Sequence, residues 1–79
     1  MQLEISTPHK TLFQGNVYSV QCPGKDGLFQ VLNNHAPLIA ILSKGQIKYE
    51  TSDSSDSQFI EVQRGIVQVL NNNVTILIS

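Results

Sequence analysis

The sequence has one cysteine, no tryptophan and only a handful of phenylalanines and tyrosines. Cys22, being alone, cannot close an internal disulfide, so no covalent staple holds this small chain together, which fits a reducing compartment. Charge is sparse: five Lys and Arg against six Asp and Glu leave a formal net charge of −1. A nucleic-acid-binding barrel would need a basic face interleaved with aromatics, able to displace counterions and stack bases. Lys10, Lys25, Lys44, Lys48 and Arg64 are instead scattered along the sequence and balanced by acids. No basic amphipathic stretch marks a membrane-surface helix. The longest unbroken apolar run, Ala36 to Leu42, is far too short to span a bilayer. The N-terminus lacks the basic start and apolar run of a signal peptide. These absences predict a cytoplasmic protein, or one facing the cytoplasm.

Alanine is scarce too, with two residues, whereas Val and Ile together number 15. β-Branched side chains lose freedom in a helix and pack well on pleated surfaces, so the composition favours strands. Pro8, Gly15, Pro23-Gly24, Gly27, Pro37, Gly45 and Gly65 leave no uninterrupted helical interval. Alternation then predicts about eight short strands. They cover Leu3–Ile5, Thr11–Gln21 with a bulge or bend at Gly15, Leu28–Leu32, Leu38–Leu42, Gln46–Thr51, Phe59–Gln63, Ile66–Leu70 and Val74–Ile78. In the fifth, Ile47 and Tyr49 point inward. Pro23 to Gly27 reads as a tight turn, Asn33 to Pro37 as a loop, and Ser52 to Ser57 as a solvated hairpin tip. Asn71-Asn72-Asn73 closes the last hairpin, because asparagine tolerates positive φ. The expected fold is all-β, a flattened sandwich or barrel, with residues 1–79 forming one domain. A chain of 79 residues buries only roughly 60% of the surface that its unfolded form exposes.

The sequence offers little for catalytic chemistry. A nucleophilic site needs a nucleophile, a base and an orienting group. Cys22 precedes a turn as a small buried hydrophobe, and His9 lies in a polar turn. His9, Cys22 and His35 do not supply the four closely spaced ligands that zinc takes. Asp53 and Asp56 sit on the polar tip, where solvation is their simplest role. No glycine-rich phosphate cradle is present. The sequence therefore predicts no catalytic, cofactor or metal site, and an enzyme is not expected. Lys25, in a turn between strands, admits a second reading as a lipoyl- or biotinyl-type carrier domain. Pro23 and the paired glycines differ from the residues that usually surround such a lysine. A small β-barrel binding module is a third possibility.

One feature exceeds what a small core needs. Leu28-Phe29, Leu38 to Leu42, Val69-Leu70 and Ile76-Leu77-Ile78 are apolar at successive positions. A domain of this size can hide one face of each strand. Either both faces are covered locally, or some of these side chains await a partner.

The stretch from Gly24 through Gly27-Leu-Phe-Gln-Val-Leu-Asn-Asn-His-Ala-Pro-Leu38 to Gly45-Gln-Ile47 resembles the central signature of the epsilon subunit of F-type ATP synthases. The opening Ser6-Thr-Pro-His-Lys-Thr-Leu-Phe-Gln-Gly15 and the closing Glu61-Val to Leu77 are similar to its flanking motifs. The resemblance implies a ten-stranded β-sandwich in the central stalk, bound to the gamma subunit and resting on the c ring. It implies a non-catalytic role, coupling proton- or sodium-driven rotation to ATP synthesis or hydrolysis at the cytoplasmic face of the inner membrane. It places the partner interface at Leu28 and at His35, Ala36, Pro37 and Leu38. The family's C-terminal helical hairpin, which can inhibit ATP hydrolysis, has no counterpart before Ser79, so that activity is not carried over. Leu28 stands where relatives often carry an acid facing the ring, Asn33 where proline or alanine is common, and Arg64 in place of one of two paired glycines.

Overall fold

Strands form where alternation predicts them, and their outer ends follow from turn chemistry. The computed structural model describes residues 1–51 and 56–79. Its elements are β1 Gln2–Ser6, β2 Thr11–Gly24, β3 Gly27–Leu32, β4 Leu38–Leu42, β5 Gly45–Thr51, β6 Ser57–Val62, β7 Gly65–Leu70 and β8 Asn73–Ile78. The predicted tip at Ser52–Ser57 falls mostly outside the described residues; Asp56 is an exposed bend and Ser57 opens β6. Among the described residues there are eight strands, against the ten that the family resemblance implied; β2 runs unbroken through two layers, which accounts for one of the two.

One layer runs β4-β7-β8-β1 and continues onto the first half of β2. The other runs β6-β5-β2, with β3 on the opposite edge of β2. Gly24 at the end of β2 also meets Leu42 of β4, so the path returns to β2 and the sandwich closes like a flattened barrel. All contacts are antiparallel except β1 with β8.

The bend in β2 is where sequence reading and structure part. Gly15 pairs with Leu3 in regular register and is not the bulge. β2 is irregular instead at two other places: between Thr11 and Phe13, where two steps match one along β1, and between Val17 and Ser19, at the corner, where two steps match one along β5. A bulge shifts the two-residue alternation by one, which lets Val17 and Val20 both face the core though they are three apart. Hydrophobic burial on both sides of the corner therefore selects the bulge site, and no glycine is required there. Pro23 and Gly24, expected in the turn, belong to the strand. Pro23 stands opposite Leu28 and uses its carbonyl, which accepts from the Ser43 amide at 2.8 Å. The turn itself is Lys25-Asp26, closed by Gly27 at φ 126°. Asn71 and Asn72 adopt φ 51° and 62°, the two positive values that a twisted two-residue hairpin demands.

The inward faces supply the core. Leu3, Ile5, Val20, Cys22, Val31, Leu42, Ile47, Val67 and Ile76 are all sealed from solvent. Tyr49 stacks at a tilt on Phe13, with ring centroids 4.4 Å apart. The consecutive apolar pairs mostly obey alternation after all: Val69 points in and Leu70 out, Ile76 and Ile78 in and Leu77 out.

Candidate partner interface

In β4, Leu42 is buried and Leu38 and Ala40 pack against the core, so Ile39 and Ile41 must face away from it. The same alternation turns Ile66 outward on β7 and Leu77 outward on β8. Register then sets Ile41 opposite Ile66, and Ile66 opposite Leu77. Ile41, Ile66 and Leu77 thus form one row across three strands, with 58%, 45% and 45% of their surfaces exposed. An antiparallel sheet with one wet face ordinarily carries polar residues there. The opposite layer does so only along β5, which presents Gln46, Lys48 and Glu50; Phe59 of β6, Tyr18 of β2 and Leu28 and Leu32 of β3 are exposed apolar or aromatic residues elsewhere on it.

Two concavities flank the row. The larger, about 610 Å³, lies between the Lys25-Asp26 turn and β4, and Leu28, Phe29, Leu38 and Ile39 line it. The smaller, about 340 Å³, is lined by Pro8, Ile41, Arg64, Ile66 and Leu77. Ile41 belongs to both, so the apolar surface is continuous between them.

The predicted interface residues divide between two places. Leu28, exposed to 68%, and Leu38 come together in the larger concavity. His35, Ala36 and Pro37 do not line it; they occupy the connection at the other end of β3. A polar clamp fixes this loop. Asn72 Oδ1 accepts from the Asn34 amide at 2.8 Å, and Asn72 Nδ2 donates to Asn33 Oδ1 at 3.1 Å. The His35 amide donates to the Leu32 carbonyl at 3.1 Å, and its ring Nδ1 lies 2.7 Å from the Ala36 carbonyl. The sequence did not single out Ile39, Ile41, Ile66 or Leu77 as outward-facing. Ile39, Ile41 and Leu77 lay within the doubly apolar runs, where register decides which member faces outward, whereas Ile66 lay outside them.

Asn72 therefore does two jobs, holding a left-handed turn and pinning the neighbouring loop. Asn72→Ala should destabilise the domain by about 1–2 kcal/mol through strain and lost hydrogen bonds. Asn72→Gly should relieve the strain alone. Both variants should speed hydrogen exchange at the Asn34 amide, and slow exchange surviving in the glycine variant would show that the clamp does not hold the loop.

Cys22, His9 and the described acids do not come together. Cys22 is fully buried, and burial pushes its thiol up to about 12, so no thiolate forms at neutral pH. His9 is exposed in the β1–β2 turn, where Thr7 Oγ1 accepts from its amide at 3.2 Å. Among the described residues no three His, Cys, Asp or Glu side chains gather as a metal site. Among the described residues no helix is long and apolar enough to cross a membrane.

The profile of the ATP synthase delta/epsilon chain β-sandwich domain matches residues 1–79. This chain belongs to that family. The match leaves the carrier reading of Lys25 without support, although Lys25 does sit exposed on a hairpin tip. Similar relatives are the ATP synthase epsilon chains of Chlorobium limicola, 42% identical over 96% of this chain and 85% of that one, and of Nitratiruptor sp., 40% identical over 100% and 60%. Epsilon chains are non-catalytic subunits of the ATP synthase. Two solved assemblies share the fold. One is the central stalk and c ring of the Tetrahymena thermophila mitochondrial ATP synthase, with a TM-score of 0.83 at 19% identity over 99% of this chain and 62% of the matched one. The other is the Euglena gracilis mitochondrial ATP synthase, with a TM-score of 0.89 at 18% identity over 96% and 48%. The delta/epsilon sandwich accounts for the whole described chain, with its long bent β2 forming the corner between layers.

Proposed function

We propose that this delta/epsilon domain is a mechanical coupling piece of an F-type ATP synthase. It binds the gamma subunit and the c ring, and transmits ion-driven rotation of the ring, by protons or sodium, to the head that makes or hydrolyses ATP. It works at the cytoplasmic face of the inner membrane, held there through the complex. The observation that carries this reading is the solvent-facing row Ile41–Ile66–Leu77 with Ile39 beside it. A contiguous apolar patch of this kind marks a protein interaction site, because water ordering around it is relieved when a partner covers it. Leu28 and Leu38 extend the same surface toward the Lys25-Asp26 turn. The His35–Pro37 loop, pinned by Asn72, offers a rigid second contact. The epsilon-chain relatives and the stalk assemblies that share the fold support the assignment.

The reading is tested with the combined variant Ile41→Thr, Ile66→Thr and Leu77→Thr. Threonine keeps the β-branched shape that strands favour while removing apolar surface, so the domain should stay folded by circular dichroism. Its affinity for the cognate gamma subunit should fall by about tenfold or more, since each truncation withdraws one or two methylene equivalents from the contact. Unchanged co-purification with the gamma subunit would remove this face from the interface.

A further inference from the structure

Four connections meet at one end of the sandwich: residues 7–10, 25–26, 43–44 and 63–64. Their proximity follows from the ladder. Leu42 lies opposite both Gly24 and Gly65, the Lys25 amide donates to the Ile41 carbonyl at 2.9 Å, and the Ser79 amide donates to the Arg64 carbonyl at 3.1 Å. Pro8 shares a groove wall with Arg64 and Ser79. Each connection carries one exposed cation: Lys10, Lys25, Lys44 and Arg64. Asp26 is the single acid among these connections, while Glu61 points outward from the polar layer opposite Gln46. At the other end, connections 33–37 and 71–72 hold no lysine or arginine, and Asp56 is exposed there.

Four of five cations are thus gathered on turns at one end of a chain whose net charge is −1. Like charges held close repel, and turns do not need them to form, so the fold gains nothing from the arrangement. The smaller groove leads into this end, its apolar wall running from Ile66 and Leu77 to Arg64.

We propose that this cationic end, together with the groove entering it, receives an acidic amphipathic segment of a partner protein. Apolar side chains of the segment fill the groove against Ile41, Ile66 and Leu77, and its carboxylates reach Lys25, Lys44 and Arg64. The proposal rests on the docking reading above and names the chemistry of what docks. A protein segment fits better than a bilayer, because Ile41, Ile66 and Leu77 line a concavity on a strand face, although the Lys25-Asp26 turn has an exposed apolar side chain, Leu28, close beside it. A ridge of side chains fills a groove; a flat membrane surface does not.

The test measures binding of the folded chain to the cognate gamma-containing catalytic sector at about 0.05 M and about 0.5 M salt, where screening differs strongly. Wild-type affinity should weaken as salt rises. The K25E/K44E/R64E variant should bind about tenfold or more weaker than wild type at low salt, and the two should converge at high salt. K25Q/K44Q leaves the Arg64–Ser79 hydrogen bond in place and should give an intermediate loss, which guards against a folding defect in the triple variant. Wild-type affinity in both variants at low salt overturns the proposal while leaving the docking reading intact. Failure of the wild-type chain to bind at either salt sinks the docking reading and this proposal with it. Association with phosphatidylglycerol vesicles, but not with the catalytic sector, would assign the cationic end to the membrane and overturn the proposal as well.

Discussion

Ile47→Asp is expected to leave the domain unfolded at neutral pH. Ile47 is wholly buried on β5, opposite Ile60 and among the inward faces of both layers. The change removes an apolar side chain and forces a carboxyl group into a site with no polar partner, which costs several kcal/mol even when the group takes up a proton. A domain of this size has a total stability of about 4–12 kcal/mol by the usual per-residue range, so little margin remains. Circular dichroism should show no cooperative urea transition. Leu38→Asp should be milder, because Leu38 is only half-buried at the mouth of the larger concavity. Ile41→Asp should stay folded, since that side chain already faces water. A folded Ile47→Asp protein with the wild-type midpoint would show that the inward face of β5 has been misplaced.

The second large effect is expected at Gly65, for a reason that composition does not reveal. A Cβ there would sit 2.6 Å from the Leu77 carbonyl oxygen and 3.0 Å from Ile78 Cγ2. The oxygen belongs to the neighbouring strand β8 and cannot yield without opening the β7–β8 ladder. Gly65→Val should therefore cost about 1–3 kcal/mol, the usual penalty of overpacking, and lower the melting temperature by roughly 5–20 °C for a domain this small. Gly27 offers a contrast. Its Cβ would meet nothing, but its φ of 126° is strained for any other residue, so Gly27→Ala should destabilise through the backbone alone. Gly15→Ala should be nearly neutral, because only the end of the Phe13 ring stands 3.2 Å away and can swing aside. Melting temperatures in the order Gly15→Ala, Gly27→Ala, Gly65→Val, from highest to lowest, would support this reading; Gly65→Val matching wild type would refute it.

The exposed row Ile41–Ile66–Leu77 and the buried set around Ile47 come from the same alternation, so the two kinds of variant separate stability from docking. Loss of fold belongs to the inward positions. Loss of partner with the fold intact belongs to the outward ones. The Asn72 clamp adds a third class, in which a local loop loosens without global unfolding.

Much of this was legible from residues alone. Ile47 and Tyr49 read as inward, and they are; asparagines 71 and 72 read as a left-handed hairpin turn, and their φ values agree. The Gly24-to-Ile47 signature carried the family. Other features were not legible, because they depend on register. Gly15 advertised a bulge, yet the corner bulge sits after Val17, where the chain must bring Val17 and Val20 to one side. Pro23 advertised a turn, yet it is the penultimate residue of β2, where its missing N–H is tolerated. Leu28 and His35 were named together from the family resemblance, and only the fold shows that β3 separates them, with Leu28 near its start and His35 beyond its end.

By itself the sequence determined the strand content, the alternating core, the turn residues and the delta/epsilon membership, because side-chain period and backbone preference are local properties. Only the tertiary structure decided that Ile41, Ile66 and Leu77 share one row, and that Lys10, Lys25, Lys44 and Arg64 crowd one end. Those are neighbours through strand pairing, and hydrogen-bond register between distant segments is written in the packing of the whole core and not in any one stretch of chain.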